Sequence, residues 1–521
     1  MVRNLSKIAF FILFVSARST ALFAVGQDSM KSSLSTENIV LLQTLWSESN
    51  NPAGLSFYNI NNNIAQAGIY FNRKEGDYRR YHESNKQNQY GFYTNGYAAL
   101  KQWKFYGEFA YYRQNDWGAN WSDVLNPYND NPYILGDKNT SRYRKEYFQM
   151  STKGALQINS KLSAGFEINY QTGVGSRQKD PRPENKTTDF DIKPGIVYKL
   201  NNINLGVNFH FHTAKEDVEF NNVTDSLYSY YHLKGLGAFS VSQEEDERSD
   251  EVVLIGGGIQ FGFDGNKIKN KTEVNFFQKE NNIKRGKTYP LQVVLLEKFQ
   301  TEITSSFLVN TTQNTINRFR IAYTNKRIYG HEPVVQPELI YESYQWSTVG
   351  KYILYWNKLN TFGADYSYYK LIDNNHINWG VTIGGKVTGI KTSYYFIPEK
   401  NEQELNYFEI DGLLEKEIVS GFSDLVFKLS GNYRKGFNSW HKLVDEETLL
   451  QTTNTQLVHQ DFDYFNSRLL VFGVEIQFGR PVKIYGSNIQ LFVNAAYNHE
   501  ISEMNKDVRS NRISCRIGMN F

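Results

Sequence analysis

The last ten residues, Arg512 to Phe521, alternate between apolar and polar or small side chains. Successive side chains of a strand point to opposite faces, so Ile513, Cys515, Ile517, Met519 and Phe521 form one apolar stripe, with Arg512, Ser514, Arg516 and Asn520 on the other side. The same period of two recurs upstream. Ile203, Leu205, Val207, Phe209 and Phe211 alternate with Asn204, Gly206, Asn208, His210 and His212, and Leu162, Ala164, Phe166, Ile168 and Tyr170 alternate with Ser163, Gly165, Glu167 and Asn169. A single run of this kind also suits the half-buried edge of a soluble sheet. A long series of them suits a wall with lipid outside and water inside, and predicts an all-β fold: a transmembrane antiparallel up-and-down β-barrel of about 20 strands, within a range of about 16–22.

The connections carry the same message. Lys101-Gln102, Asn159 to Lys161, Asn201-Asn202 and Asp264 to Lys267 are short, whereas Asn115 to Arg142, Gly173 to Thr187, Thr213 to Asp250 and Asn282 to Tyr289 are long. Thr311 to Asn314, Asn357 to Asn360 and Val387 to Gly389 read as further turns. Tight turns at one end and long loops at the other are expected of the periplasmic and external ends of such a barrel.

The amino terminus supplies a route to the membrane. Arg3 and Lys7 precede the apolar run Ile8 to Ala17, and Ala24-Val25-Gly26 offers small residues for cleavage, so residues 1–26 read as a signal peptide. Residues 27–62 do not read as wall. Thr36-Glu37-Asn38 can open a helix that sets Ile39, Leu42, Leu45 and Trp46 at helical spacing, and the breaker cluster Ser47 to Leu55 follows. Large barrels commonly hold something in the lumen, so this segment is expected to tuck into the periplasmic mouth as a partial plug built on Trp46, Asn51, Pro52 and Gly54. A mobile tail is the alternative. Residues 63–521 are the expected barrel, and the bacterial outer membrane the expected location.

Composition narrows the function. Mean hydropathy is −0.54, yet 15% of residues are aromatic, with 36 Tyr, 35 Phe and 8 Trp, which a barrel uses as girdles at the two interfaces. Loss of Arg3, Lys7 and Arg18 with the signal would take the formal net charge from +3 to zero, which gives no case for a nucleic-acid partner. Cys515 is the single cysteine, so no internal disulfide is possible. Inward-facing Arg318, Arg320, Glu409 and Asp411 give the lumen both signs of charge, which disfavours a lipid conduit and strong ion selectivity.

Candidate chemistry is sparse. His210 and His212 share a face without a third ligand and read as polar lumen residues, so no metal, no cofactor and no catalytic residue is expected. His459-Gln460-Asp461-Phe462-Asp463 lies in an expected long loop without a nucleophile elbow. Gly256-Gly257-Gly258 reads as a place where the wall bends or a plug approaches, and Glu244 to Glu247 as a solvated loop tip. The loop Asn115 to Arg142 carries Trp117, Trp121, Tyr128 and Tyr133 among acidic residues. Those rings could hold a sugar or a partner protein, or the loop could pack on itself to cover the pore.

Asn51-Pro52-Ala53-Gly54, ahead of the first strand, resembles the amino-terminal motif of the long-chain fatty-acid transporter superfamily of outer-membrane proteins. The whole layout, with Trp46 upstream and a Tyr- and Asn-rich barrel, resembles the uncharacterised outer-membrane barrels common in Bacteroidota. Phe521 resembles the terminal aromatic signal read by the barrel-assembly machinery of Gram-negative bacteria. The resemblance implies outer-membrane lipids, that machinery, and a surface lipoprotein or TonB-dependent receptor as partners. Two functions stay open: a channel or uptake component for a small solute, and a non-conducting scaffold in an outer-membrane complex.

Overall fold

The computed structural model describes residues 34–521 except 59–62, 225, 244–246, 287–289, 313, 341–342, 374–375, 397, 421, 445–448, 485–486 and 505–506. The signal-peptide reading and most of the acidic run Glu244 to Glu247 fall outside them. Eighteen described strands close an antiparallel wall. In order they are Ile64–Gly76, Lys86–Leu100, Trp103–Ala119, Ser141–Gln157, Leu162–Arg177, Pro183–Leu200, Ile203–Phe220, Arg248–Asp264 and Ile268–Arg285. Leu291–Val309, Thr315–Ile340, Ser343–Leu371, Ile377–Tyr395, Lys400–Ser420, Ser423–Gly436, Leu469–Ile484, Ser487–Ser502 and Val508–Asn520 complete the ring. The first strand pairs with the eighteenth, Ile69 opposite Ile517, so no edge is left open. Phe521 finishes the seam by donating to Ala65 O at 2.9 Å and accepting from Ala65 N at 2.8 Å.

The count of about 20 is corrected to eighteen, and two residue stretches account for the difference. Asn357 to Asn360 lies inside the twelfth strand and Val387 to Gly389 inside the thirteenth, and they meet at Asn360 opposite Gly389. Their polar and small residues suit a turn, but they lie mid-strand, where Asn325 Nδ2 donates to Asn360 Oδ1 at 2.7 Å across the ladder. The strands run 13 to 29 residues, well past what a bilayer requires, so three expected loops shrink. The third strand reaches Ala119, the fifth and sixth leave only residues 178–182 between them, and the seventh reaches Phe220.

The outer face is an apolar belt. Leu205, Val207 and Phe209 are about half exposed, as are Ile513 and Ile517, while Glu167, Asn204 and Asn208 on the opposite face are buried. No described helix is long and apolar enough to cross a membrane, and the strands supply the belt instead.

Ahead of the wall, helix α1 (Thr36–Gln43) leads into two single 3-10 stretches, Leu45–Glu48 and Pro52–Phe57. Pro52 takes the first position of the second stretch, where its missing N–H costs nothing, and Asn51 Oδ1 accepts from Ala53 N at 3.0 Å. At the long-loop end, Ile134–Gly136, Tyr230–Gly235 and Ala238–Ser242 form a small three-stranded sheet, and helix α2 spans Leu449–Asn466.

Candidate functional site: the lumen and its two mouths

At the short-turn end, the chain from Leu34 to Tyr58 lies across the inside of the barrel. Ile39 and Leu45 pack with Leu308, Ile316, Tyr369, Leu371 and Ile377 of the tenth to thirteenth strands. Opposite them, Pro52–Phe57 sits on the fourth, fifth and sixth strands. Trp46 is buried and stacks on Phe57, ring centroids 4.9 Å apart.

Polar anchors fix this crossing. Asn51 is buried and its Nδ2 donates to Ile196 O at 3.0 Å, Val207 O at 3.1 Å and Gln260 Oε1 at 2.8 Å. Glu273, itself buried against Lys271 at 2.9 Å, accepts from Ser49 Oγ and from Asn50 N, both at 2.9 Å. Glu48 pairs with Arg318 at 2.8 Å, and Lys104 Nζ donates to Ser56 O at 2.7 Å. The wall makes room with glycine: a Cβ at Gly165 would stand 2.5 Å from Ala53 N, and one at Gly195 would stand 2.2 Å from Asn51 Oδ1. Gly256-Gly257-Gly258 is not part of this bed; a Cβ at these positions would meet Phe277, Asn208 and Asn275.

At the long-loop end the loops fold inward. Residues 120–140, which follow the third strand, reach the tenth and eleventh, where Asp130 pairs with Lys298 at 2.9 Å and with Lys326. Burial opposes ionisation of Asp130, but these lysines hold its carboxyl down to about 2. Tyr133 packs with Leu236, Ala238 and Val458 against Ile283, Val294, Leu296 and Ile328, which point inward from the wall. Apolar residues on a nominally wet face are explained by the loops that cover them.

A second core gathers Trp121, Ile134, Leu135, Tyr231 and Leu233 with Leu457 of α2. Beneath it, Arg177 pairs with Asp123 at 2.9 Å and with Asp137, all three nearly inaccessible. Burial pushes the Asp123 carboxyl well above the ordinary range; Arg177 opposes that and the Asp137 charge adds to it.

The four aromatic residues of this loop therefore have structural neighbours. Trp121 and Tyr133 are buried, Tyr128 lies under the Arg80 guanidinium at 3.6 Å and accepts from His82 N at 2.8 Å, and Trp117 sits within the third strand beside Lys86 and Arg142. A ligand would meet Trp121 and Tyr133 only with the loop displaced, whereas Trp117 and Tyr128 remain partly exposed. His459 to Asp463 is helical, not loop, and Asp461 is held by Arg80 at 2.5 Å.

Between the two mouths the inner face carries mixed charge. His210 pairs with Asp191 and His212 with Asp189 at 2.9 Å, while Glu167 bridges Lys153 at 2.9 Å and Lys193 at 3.2 Å. On the opposite side Arg320 pairs with Asp365 at 2.8 Å, Lys386 with Glu409, and Asp411 is open to solvent. Alternation alone assigns these residues to the inner face; it could not show that wall residues pair with one another along neighbouring strands.

A family model matches residues 52–521. The chain belongs to the family of unknown function DUF6850. The match begins at Pro52, so it takes in the inner 3-10 stretch and the whole wall. A comparison with the curated proteins finds no match. Among solved structures, the chain is similar to the outer membrane transporter YddB from Escherichia coli, at 8% identity and a TM-score of 0.38, covering 88% of this chain and 81% of that one. It is similar to the FrpB iron transporter from Neisseria meningitidis at 10% identity and 0.39, covering 89% and 82%. It is also similar to the RagAB peptide transporter at 7% identity and 0.41, covering 88% and 86%. At such identities the chemistry of this lumen rests on its own residues.

Proposed function

We propose that this chain is an outer-membrane uptake conduit for a small hydrophilic solute, with no catalytic role, at rest with both mouths obstructed. The observation that carries the reading is a polar, mixed-charge inner wall between the Leu34–Tyr58 crossing and the inward-folded loops. An interior of this kind suits passage of a hydrophilic solute better than that of a lipid. The crossing acts as the plug and the Asp130 lysine pair as the latch of the outer cap. The apolar belt and the closed seam support a membrane location, and in this reading Phe521 is the signal for the barrel-assembly machinery.

One observation favours a second reading. The hairpin of the eleventh and twelfth strands is 26 and 29 residues long, far beyond the roughly 10 a membrane strand needs, and carries exposed Trp346, Val349, Tyr352 and Ile353. That surface suits a scaffold that docks a surface lipoprotein or a TonB-dependent receptor. Planar-bilayer recording separates the two. A conduit should show rare openings in the parent and frequent ones in a Lys298→Gln, Lys326→Gln protein. Silence of both, and of a protein lacking residues 34–49, would support the scaffold.

A further inference from the structure

At the short-turn end, where α1 begins, His376, Glu417 and Asp424 bring one donor atom each to within 4.8 Å of one another. They flank two neighbouring short turns of the wall: His376 directly precedes the thirteenth strand, Glu417 lies three residues before the end of the fourteenth and Asp424 is the second residue of the fifteenth. Glu417 is 1% exposed and Asp424 7%. Glu417 Oε2 accepts from Ile377 N at 2.6 Å, and the Ser35 side chain also bonds this carboxyl, yet Oε1 is buried with no hydrogen-bond partner. The charged groups that act on Glu417 are His376 and the like-charged Asp424. Two buried carboxylates lie side by side, and the orphaned Oε1 of Glu417 is an acceptor left facing into the cluster.

We propose that His376, Glu417 and Asp424 bind a divalent transition metal of the zinc class. The imidazole selects against calcium and magnesium, which prefer all-oxygen sites. His376 Nδ1 lies 2.9 Å from Asp373 Oδ1, the carboxylate contact that orients a metal-binding imidazole and leaves Nε2 as donor. Donors of a tetrahedral zinc stand roughly 3.3 Å apart, so a bound ion draws together a cluster whose donors now lie within 4.8 Å. Gln490 Nε2 donates to Asp424 Oδ2 at 2.6 Å and steadies the third ligand from the seventeenth strand. Because Ser35 touches Glu417, the ion would pin the start of the Leu34–Tyr58 crossing to the wall.

The test uses the purified full barrel, stripped with chelator and dialysed against zinc alone, with bound metal measured by mass spectrometry and folding checked by heat-modifiable gel mobility. The parent should take up about one zinc per chain. Uptake should be lost in Glu417→Gln and in His376→Ala, and Asp373→Asn should weaken it about tenfold or more. His212→Ala should bind as the parent does. His376 belongs to a connection outside the wall ladder, so its variant decides the matter if Glu417→Gln does not fold. No zinc on the parent, or undiminished zinc on folded His376→Ala, overturns the site and points to a shared proton between the two carboxylates.

Discussion

At the scale of the residue, which face a side chain occupies decides what a substitution does. Ile517 is 55% exposed in the belt, whereas Ser514 faces inward and bonds Asn72. Ile517→Arg should therefore impair insertion by about 2–4 kcal/mol, and Ser514→Arg far less, because an inward arginine stays hydrated. Folded fractions in lipid, read by gel mobility across a denaturant series, give the comparison; equal values would mean the faces are misassigned. Glycine supplies a sharper case. A Cβ on Gly195 collides with the buried Asn51 side chain, while Gly412 has open space, so Gly195→Ala should cost about 1–3 kcal/mol of crossing stability and Gly412→Ala almost none. Fluorescence of Trp46, compared between the two variants, reports whether the crossing has moved.

At the scale of the element, the outer cap holds two carboxylates that titrate in opposite senses. Asp123 has a raised value in the folded cap, so its contribution is present below about pH 4, the unfolded value, and is lost as pH rises through the folded one. Asp130 is lowered to about 2, so its contribution is fully present above about pH 4 and is lost as pH falls from there through about 2. Protease cleavage within residues 120–140 of the lipid-embedded parent should increase as pH rises, and Asp123→Asn should flatten that rise, since an amide keeps a neutral partner for Asp137. A parent whose cleavage is unchanged by pH would remove Asp123 from the account of the cap.

At the scale of the whole molecule, closure and obstruction are separable. The wall closes through backbone pairing of its first and eighteenth strands, with no contribution from α1. A protein lacking residues 34–49 should remain a heat-modifiable barrel and conduct more frequently than the parent, because it loses Glu48 and Ser49 but keeps the ring. Failure to fold would make the crossing a part of the wall's stability instead of an obstruction. The mixed-charge wall argues for modest ion selectivity in whatever current appears.

Period-two alternation determined the strands, their inward and outward faces, and the closing strand at Val508–Asn520, since a lipid belt and a wet lumen leave no freedom in that pattern. The helix at Thr36–Gln43 and the turn at Pro52 were equally legible, being set by local spacing and by proline geometry. Strand number was not. Asn357 to Asn360 looks the same in a turn as in the middle of a long strand, and only its pairing distinguishes the two. The interior was decided by tertiary structure alone. Glu273 meeting Ser49, Asp130 meeting Lys298, and His376 meeting Glu417 and Asp424 join positions 41 to 224 residues apart. Side-chain period carries no information about which distant residues a closed ring brings face to face.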